Sequence, residues 1–262
     1  MAVVNPPRTA LSVASWNLHE GLDAEADPHP GAADSNSMHS VAHLVREHGI
    51  DVIGLQEVGF DADGTSELLD FLQAATPLRH IARHPLHESS FFPGRLSGVA
   101  IASRFPLYAL KRHSLPNPRL SVQLGDAEIR SHDKGFMSAQ FDIGEIRIGV
   151  TVVHALPFHL FRREAADAEF KPIWEYLSTR IGEEDAKHAI ICGDFNTPDR
   201  GLLLRDGFLK LSSAMGKQPT YKDVALDDIL YGFGLRVGSA TTVDNFSDHK
   251  LCIAEVLVPS DS

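Results

Sequence analysis

The sequence is poor in cysteine and lacks any apolar run long enough to span a lipid bilayer. Its 262 residues include 2 cysteines, Cys192 and Cys252, and both lie inside apolar, strand-like runs. We therefore expect two buried, reduced thiols and neither a disulfide nor a cysteine-ligated metal. The longest apolar runs have the length of a strand, so no transmembrane helix is predicted. Residues 1–10 contain no apolar core of a secretory signal, which makes a cytoplasmic location the expectation.

Basic residues are also in the minority. Lys and Arg number 24 against 35 Asp and Glu, and the net charge at pH 7 is -11. An acidic protein is disfavoured as a tight, nonspecific binder of long nucleic acid, because the phosphate backbone is held by positive charge. The argument is a weak one, since acids gathered around a metal ion add negative charge and a local basic patch can persist.

The sequence also lacks repeats, low-complexity tracts, shifts of composition, glycine-rich phosphate loops and Cys-x-x-Cys pairs. Apolar residues make up 43% and charged residues 23% of the chain, which is ordinary for a globular protein. We therefore predict that residues 1–262 form a single domain. Nothing in the sequence predicts the oligomeric state.

Short apolar segments dominate the predicted secondary structure. Three helices are predicted: one with Ser37 as its N-cap that ends at Gly49, a second over 65–75 and a third over 162–181. Loops are predicted over 20–37 and 84–96, and the second of these either flanks the site or is plain surface. Strands are predicted near 11–17, 51–56, 98–103, 107–113, 135–142, 145–154, 188–193, 226–231, 235–243 and 250–258. Many strands with few helices indicate two packed sheets with helices outside.

The most informative segment is the apolar strand that ends in Gly-Asp-Phe-Asn at residues 193–196. Side chains alternate along a strand, so Asp194 and Asn196 are expected to project from its end on the same side. Pro198 is expected to close the strand, because proline cannot donate to a ladder. A buried acid and amide are unfavourable without partners, and the segment is therefore a candidate site.

Other predicted strands also carry polar residues where their apolar runs stop. Asn17, Glu57 and His154 each follow such a run, Asp227 opens one, and Asp248 with His249 precedes the last. Taken singly, each has an ordinary explanation, such as a turn cap or a satisfied core histidine. Together, if the strand ends converge, they predict an edge that can hold a metal ion, a water activator and phosphate donors.

These motifs resemble those of the endonuclease/exonuclease/phosphatase superfamily, over residues of about 10–258. The specific element is Gly-Asp-Phe-Asn with Ser-Asp-His downstream at 247–249. Supporting motifs occur in family order: Trp-Asn-Leu at 16–18, Val-Ile-Gly-Leu-Gln-Glu at 52–57, Gly-Val-Ala-Ile-Ala-Ser at 98–103, Val-His at 153–154 and Leu-Asp-Asp-Ile at 226–229. The resemblance implies an α/β (α+β) fold of the DNase I type: a four-layer sandwich of two packed mixed β-sheets flanked by helices.

The resemblance also implies a divalent metal, usually Mg²⁺, with Mn²⁺ as the alternative. Asn17 and Glu57 would hold and orient the ion. Asp248 would lie in the metal shell or pair with a histidine. Mg²⁺ prefers oxygen ligands, and one or two carboxylates suffice to hold it.

The catalytic roles implied by the resemblance fall on five residues. Asp194 would orient or deprotonate the attacking water, and Asn196 would place the scissile phosphate. His249 would contact the phosphate and be fixed by Asp227, because a carboxylate holds an imidazole in one tautomer and raises its basicity. His154 would support the leaving oxygen or a phosphate oxygen.

The resulting expectation is a Mg²⁺-dependent phosphoester hydrolase in which water attacks a phosphodiester or a phosphomonoester. Its phosphoester substrate stays open among small-molecule, lipid-derived and nucleic acid compounds. The alternatives are an endonuclease or exonuclease that acts on DNA or RNA, and a noncatalytic binding module on the same fold. Scattered basic residues, most of them expected to be solvated surface, lie between the motifs: Arg95, Arg104, Arg112, Arg119, Arg130 and Lys134.

Overall fold

The structure is a computed structural model, and it describes residues 9–23, 35–125, 127–184, 186–204 and 210–259. Its α-helices are α1 (Ser35–Glu47), α2 (Glu67–Ala75), α3 (Lys171–Gly182) and α4 (Gly201–Leu204). None of these described helices is long and apolar enough to cross a membrane. Its strands are β1 (Thr9–Asn17), β2 (Val52–Phe60), β3 (His80–Glu88), β4 (Leu96–Ser103), β5 (Tyr108–Ser114), β6 (Ser121–Leu124), β7 (Ala127–Arg130), β8 (Gly135–Ile143), β9 (Ile146–His154), β10 (Ala189–Asp194), β11 (Leu211–Ser213), β12 (Asp227–Gly232), β13 (Arg236–Val243) and β14 (Leu251–Val258).

The strands form two mixed sheets, in the orders β13-β14-β1-β2-β4-β3 and β11-β12-β10-β9-β8-β5, and a separate β6-β7 hairpin. Alternate residues of the two sheets, such as Val13 and Val152, meet in a common core. Their neighbours Ala14 and Val153 face outward, where α1 and α2 cover the first sheet and α3 covers the second. The predicted four-layer sandwich is confirmed.

A glycine lets the two sheets approach each other near the middle of the core. A Cβ atom added to Gly54 on β2 would lie 2.6 Å from the Cβ atom of Cys192 on β10, so a larger residue would push the sheets apart. Cys192 and Cys252 are both buried and free, which confirms the prediction of two reduced thiols.

Parallel central strands bring the polar strand ends to one edge of the sandwich. β1 runs parallel to β2 in the first sheet, and β9 runs parallel to β10 in the second. The carboxyl ends of parallel strands lie at the same edge, so His154 and Asp194 become register partners at the ends of β9 and β10. β12 is antiparallel to β10 and begins at this edge, with Asp227 opposite Asp194.

Two of the predicted strand ends are wrong in detail. β2 continues past Glu57 to Phe60 across an irregularity in its pairing with β4, where Glu57 has a φ of 47°. Such a bulge re-aims one side chain without ending the strand. β10 ends at Asp194, before Pro198 is reached, and Asn196 has a φ of 52°. Strand alternation therefore does not explain why Asp194 and Asn196 point the same way.

Two helix starts also differ from prediction. α1 begins at Ser35, so Ser37 lies within the first helical turn and is not its N-cap. α3 begins at Lys171 instead of residue 162, and Pro172 lies in its first turn. Proline favours that position, because it has no N–H to donate and its φ is already helical.

The predicted loops are also corrected. β3 reaches Glu88, so only residues 89–95 of the predicted loop 84–96 lie outside strands. β3 is a half-exposed edge strand rich in histidine, and it lacks the apolar alternation that identifies strands. In the predicted loop 20–37, His19–Gly21 forms a 3₁₀ turn, and residues 24–34 lie outside the described part of the chain.

Candidate active site

A cleft of about 300 Å³ opens at the edge where the central strands of both sheets end. Most of the residues predicted for the site line it, and the remaining two, Asn17 and Asp227, lie behind it and hydrogen-bond to lining residues. The lining residues are Glu57, His154, Asp194, Asn196, Asp248 and His249. All eight predicted positions are thus brought together.

Asp194 lies at the floor of the cleft, and its side chain is 2% exposed. The side-chain amide of Asn17 donates to its Oδ2 atom at 3.1 Å. Asn196 contributes two further donors, its backbone N–H to Oδ1 at 2.8 Å and its side-chain amide to Oδ2 at 3.2 Å. Three donors from two segments hold the carboxylate in one orientation.

The same surroundings tune the acidity of Asp194. Burial and the nearby Asp227 carboxylate raise its pKa to about 6, while His249, Asn196 and Asn17 act in the opposite direction. A carboxylate with a pKa close to neutral can accept a proton more readily than an ordinary aspartate does. The group is therefore suited to act as a general base.

His249 and Asp227 form a buried pair. His249 Nδ1 lies 2.8 Å from Asp227 Oδ2, and His249 Nε2 lies 3.9 Å from Asp194 Oδ2. Burial opposes protonation of the ring, but Asp227 and Asp194 outweigh it and raise the pKa of His249 to about 10. The hydroxyl oxygen of Thr220 accepts the backbone N–H of Asp227 and so holds the start of β12. The imidazole is cationic at neutral pH, with Nε2–H free to donate.

His154 is the last residue of β9 and lines the cleft. Its Nε2 atom lies 3.6 Å from Glu57 Oε1 and 3.7 Å from Asp194 Oδ2. The ammonium of Lys134 lies 3.3 Å and 3.4 Å from its two ring nitrogens. Burial, followed by the charge of Lys134, lowers the pKa of His154 well below its ordinary value, so the ring is neutral.

Lys134 is the exception among the scattered basic residues, most of which are exposed as expected. Lys134 is only 8% exposed. Burial lowers the pKa of its ammonium group, while Glu57, Asp194 and Glu20 act to raise that pKa. Sequence reasoning missed its position, because Lys134 precedes β8 and reaches the site only through the pairing of Gly135 with His154. No local signal separates it from a surface lysine.

Asn17 is fixed from both sides at the end of β1. Its side-chain oxygen accepts the backbone N–H of His19 at 3.0 Å, and its carbonyl accepts the Ser247 hydroxyl at 2.8 Å. Ser247 also accepts the backbone N–H of His249 at 3.2 Å. The Ser-Asp-His segment is thereby tied to the first strand.

The cleft is rich in carboxylates, and they come from both sheets. Glu20, Glu57, Asp194 and Asp248 all line it, and Glu20 is buried with a hydrogen bond from Ser89. Burial raises the pKa of Glu20, and Glu57 adds to the effect. Carboxylate and amide oxygens match the preference of Mg²⁺, and an ion would relieve the repulsion among these acids. The donor chemistry of Glu57 and Asp248, which line the cleft, therefore fits a hard divalent cation. Asn17, in contrast, lies behind the lining, and its side-chain oxygen already accepts the N–H of His19.

A second group of residues is less suitable for binding a metal ion. Ligand atoms of Asp194, Asp227 and His249 lie within 4.8 Å of one another. In this trio, however, His249 Nδ1 already engages Asp227 Oδ2, and both oxygens of Asp194 already accept hydrogen bonds from Asn17 and Asn196. A metal ligand must offer a lone pair, so we interpret the trio as a hydrogen-bonded cluster.

Behind the site, Arg200 holds together the two segments that carry Asp194 and Asp227. Its Nε atom lies 3.0 Å from Oδ2 of the fully buried Asp228. Its other nitrogens donate to the carbonyls of Thr197, Ala225 and Asp227. Sequence analysis did not single out this residue, since nothing local distinguishes it from other surface arginines.

The chain matches a family model described as the Endonuclease/Exonuclease/phosphatase family over residues 14–249. The endonuclease/exonuclease/phosphatase from Beutenbergia cavernae DSM 12333 is 19% identical, with a TM-score of 0.71 and coverage of 96% of this chain and 72% of that one. A family protein from Leptotrichia buccalis C-1013-b is 17% identical, with a TM-score of 0.68 and coverage of 94% and 99%. The human Nocturnin catalytic domain with bound sulfate anion is 18% identical, with a TM-score of 0.64 and coverage of 95% and 97%. None of the curated proteins matches this chain.

Proposed function

The chain belongs to the endonuclease/exonuclease/phosphatase family, and from this premise we propose that it hydrolyses phosphoesters with a divalent metal, Mg²⁺ in preference to Mn²⁺. The observation that carries the proposal is the Asp194 carboxylate, which two side-chain amides orient at the floor of an acid-rich cleft. In the proposed reaction, water attacks phosphorus and an ester P–O bond breaks. The substrate is a phosphodiester or a phosphomonoester.

Glu57 and Asp248 would hold the metal, because their carboxylates offer the oxygen donors that Mg²⁺ prefers. Asn17, which donates to Asp194 from behind the cleft, would orient the site around the ion. When bound, a divalent ion supplies Lewis-acid polarisation of a phosphoryl oxygen and offsets the negative charge of the transition state.

Asp194 is the proposed water activator. Its Oδ2 atom accepts both amide donors, so the carboxylate has a defined direction in the cleft. With a pKa of about 6 it is ionised at neutral pH and can take the proton that the attacking water loses. Asn196 is the proposed phosphate-placing residue, and its amide also donates to the carbonyl of Ala155 at 3.0 Å.

Positive charge for the phosphate would come from His249 and Lys134. The protonated imidazole of His249 can donate from Nε2 to a phosphoryl oxygen while Asp227 holds Nδ1. The Lys134 ammonium is buried, and charge in a water-poor site interacts more strongly than charge in solvent. The neutral ring of His154, which lies beside the Lys134 ammonium, is proposed to support the leaving oxygen or a phosphate oxygen.

Catalysis is favoured over a binding-only role by the completeness of this set. A binding module has no need of a carboxylate oriented by two amides and a carboxylate-paired imidazole in the same cleft. The interactions around Asp194 and His249 are those that proton transfer and charge stabilisation require.

Hydrolysis of p-nitrophenyl phosphate and bis-p-nitrophenyl phosphate over a Mg²⁺ titration tests the proposal. We expect turnover of at least one ester that rises with Mg²⁺, disappears in EDTA and returns on readdition of the ion. The ratio of the two rates separates monoesterase from diesterase activity. Absence of metal-dependent turnover across these esters and a panel of phospholipids, sugar phosphates and oligonucleotides would refute it.

A further inference from the structure

The cleft walls away from Asp194 are built from flat rings. The imidazoles of His87 and His132 stack, with centroids 4.5 Å apart and 19° between their planes. The Phe91 ring meets His19 edge-on, with centroids 4.9 Å apart. Tyr221 lies on a further wall. These rings come from distant segments of the chain, and all of them line the same cleft.

Positive charge is scarce on the same walls. Among the described residues that line the cleft, the lysine and arginine side chains are those of Lys134 and Arg130. Lys134 is buried at the reaction centre, while Arg130 is exposed and already pairs with Glu128 at 2.8 Å. The two stacked imidazoles add no charge, because burial lowers the pKa of His87 to about 3 and also lowers that of His132.

Binding of a polyanion requires more positive charge than these cleft walls carry. Duplex nucleic acid is held by several cations that neutralise successive phosphates, and its binding weakens steeply with salt when they do. Lys222 has its Nζ atom 5.0 Å from the centroid of the Tyr221 ring, and it lies outside the cleft lining. The net charge of -11 acts against a long polyanion as well.

Resting on the proposed phosphoester hydrolysis, we infer that the cleft selects a phosphoester with one compact, flat ring attached and does not process duplex nucleic acid. A flat ring can stack on the imidazole pair or meet the Phe91 ring edge-on. The cleft volume of about 300 Å³ lies at the small end of ligand sites, which suits one ring beside a phosphate.

Two matched pairs of esters test the ring preference. The first pair is benzyl phosphate and cyclohexylmethyl phosphate, and the second pair is the methyl diester of each. Within a pair the esters have similar size and intrinsic reactivity, but only the benzyl ring is flat. With Mg²⁺ present and alcohol release followed by chromatography, we expect kcat/KM to be at least about fivefold higher for the benzyl ester. Equal values, or a preference for the cyclohexyl ring, would overturn this inference and leave hydrolysis intact. Lack of turnover of all four esters would count against the proposed function itself.

Variants of residues on the cleft walls test whether the rings there cause the preference for benzyl esters. Phe91→Leu and His132→Leu each replace a ring by a branched side chain of similar bulk, and at least one is expected to reduce the benzyl preference by about threefold or more. Phe233→Leu is the control, because Phe233 is 66% exposed and does not line the cleft. Full preference in both wall variants would overturn the inference.

A polymer substrate is tested directly. Supercoiled plasmid and a short duplex, incubated with the same enzyme and Mg²⁺ over a range of salt concentrations, are expected to stay intact while benzyl esters turn over. Mg²⁺-dependent cleavage of the plasmid or of the short duplex would refute the inference.

Discussion

The Nδ1 atom of His249 lies 2.8 Å from the Oδ2 atom of Asp227, and this contact joins the two sheets. Asp227 begins β12 in the second sheet, whereas His249 precedes β14 in the first. Both residues are buried, so the pair forms only when the sheets pack in their native register. The proposed phosphate-binding imidazole is therefore a product of the sandwich and not of any single strand.

Asp227→Asn is expected to lower the pKa of His249 from about 10, because burial opposes protonation and a neutral amide no longer offsets it as the Asp227 carboxylate does. In the native protein, a pKa raised from 6.5 stabilises the fold fully below about pH 6.5, and this stabilisation is lost as pH rises towards 10. The variant should lose much of that pH dependence, with Asp194 still favouring the imidazolium. NMR titration of His249 in the metal-free protein measures the pKa, and urea unfolding at about pH 6.5 and about pH 10 measures the change in stability. An unchanged titration curve in Asp227→Asn would contradict the pairing.

Asp194→Asn is expected to lower kcat/KM by at least about 10²-fold, because the amide cannot accept the proton of water. The native rate should also fall below pH 6, where Asp194 becomes protonated, since its pKa is raised to about 6. Asp244→Asn is the control, because the Asp244 side chain is 87% exposed. Near-native activity of Asp194→Asn would rule out the proposed base.

Glu57→Gln is expected to raise the Mg²⁺ concentration for half-maximal activity by at least about tenfold, because a neutral amide is a weaker ligand than a carboxylate. Calorimetric titration with Mg²⁺ alone should show the same loss of affinity without reference to turnover. Glu88→Gln, an exposed change at the end of β3, should leave both measurements unaltered. If Mg²⁺ affinity survives in Glu57→Gln, the residue is not a ligand.

Lys134→Met retains the aliphatic stem but removes the buried cation. We expect kcat/KM to fall by at least about tenfold, since a charge directed at the transition state is lost. The pKa of His154 should rise, because Lys134 helps to depress it. Lys134→Arg should recover part of the activity, and Lys250→Met is the surface control. An unaltered rate in Lys134→Met would assign the lysine a structural role only.

Arg200→Met leaves Asp228 buried without its cation, and the free energy of unfolding should fall by about 3–5 kcal/mol. The double variant Arg200→Met with Asp228→Asn should regain part of this loss, because the unpaired charge is gone. Arg104→Met breaks the pair that the exposed Arg104 makes with Asp51 at the protein surface and should reduce the free energy of unfolding by less than about 1 kcal/mol. Urea unfolding measures all three, and equal losses for both single variants would contradict a buried clamp.

Much of the fold was predictable from the sequence. Apolar alternation located nearly all central strands, because buried strands repeat with a period of two. The edge strand β3 was missed, since its half-exposed side chains carry no such pattern. The start of α3 was misplaced, because the predicted periodicity was extended upstream of Pro172, which lies in the first helical turn.

The candidate site was predictable as a set of residues but not as a set of contacts. Ordered motifs placed acids, amides and histidines at strand ends, and the structure brings those positions together around one cleft. The bulge at Glu57 and the left-handed backbone at Asn196 were not predictable, because backbone strain of this kind is imposed by surrounding structure.

By itself, the sequence determined the layered architecture, the family and the residue types available for chemistry, because these depend on local periodicity and on short motifs. Only the tertiary structure decided which groups meet. Asn17 reaches Asp194 across 177 residues, and Lys134 is buried against His154 through the pairing of β8 with β9. Such contacts depend on strand register and sheet packing, and a shift of one residue would turn each side chain to the opposite face.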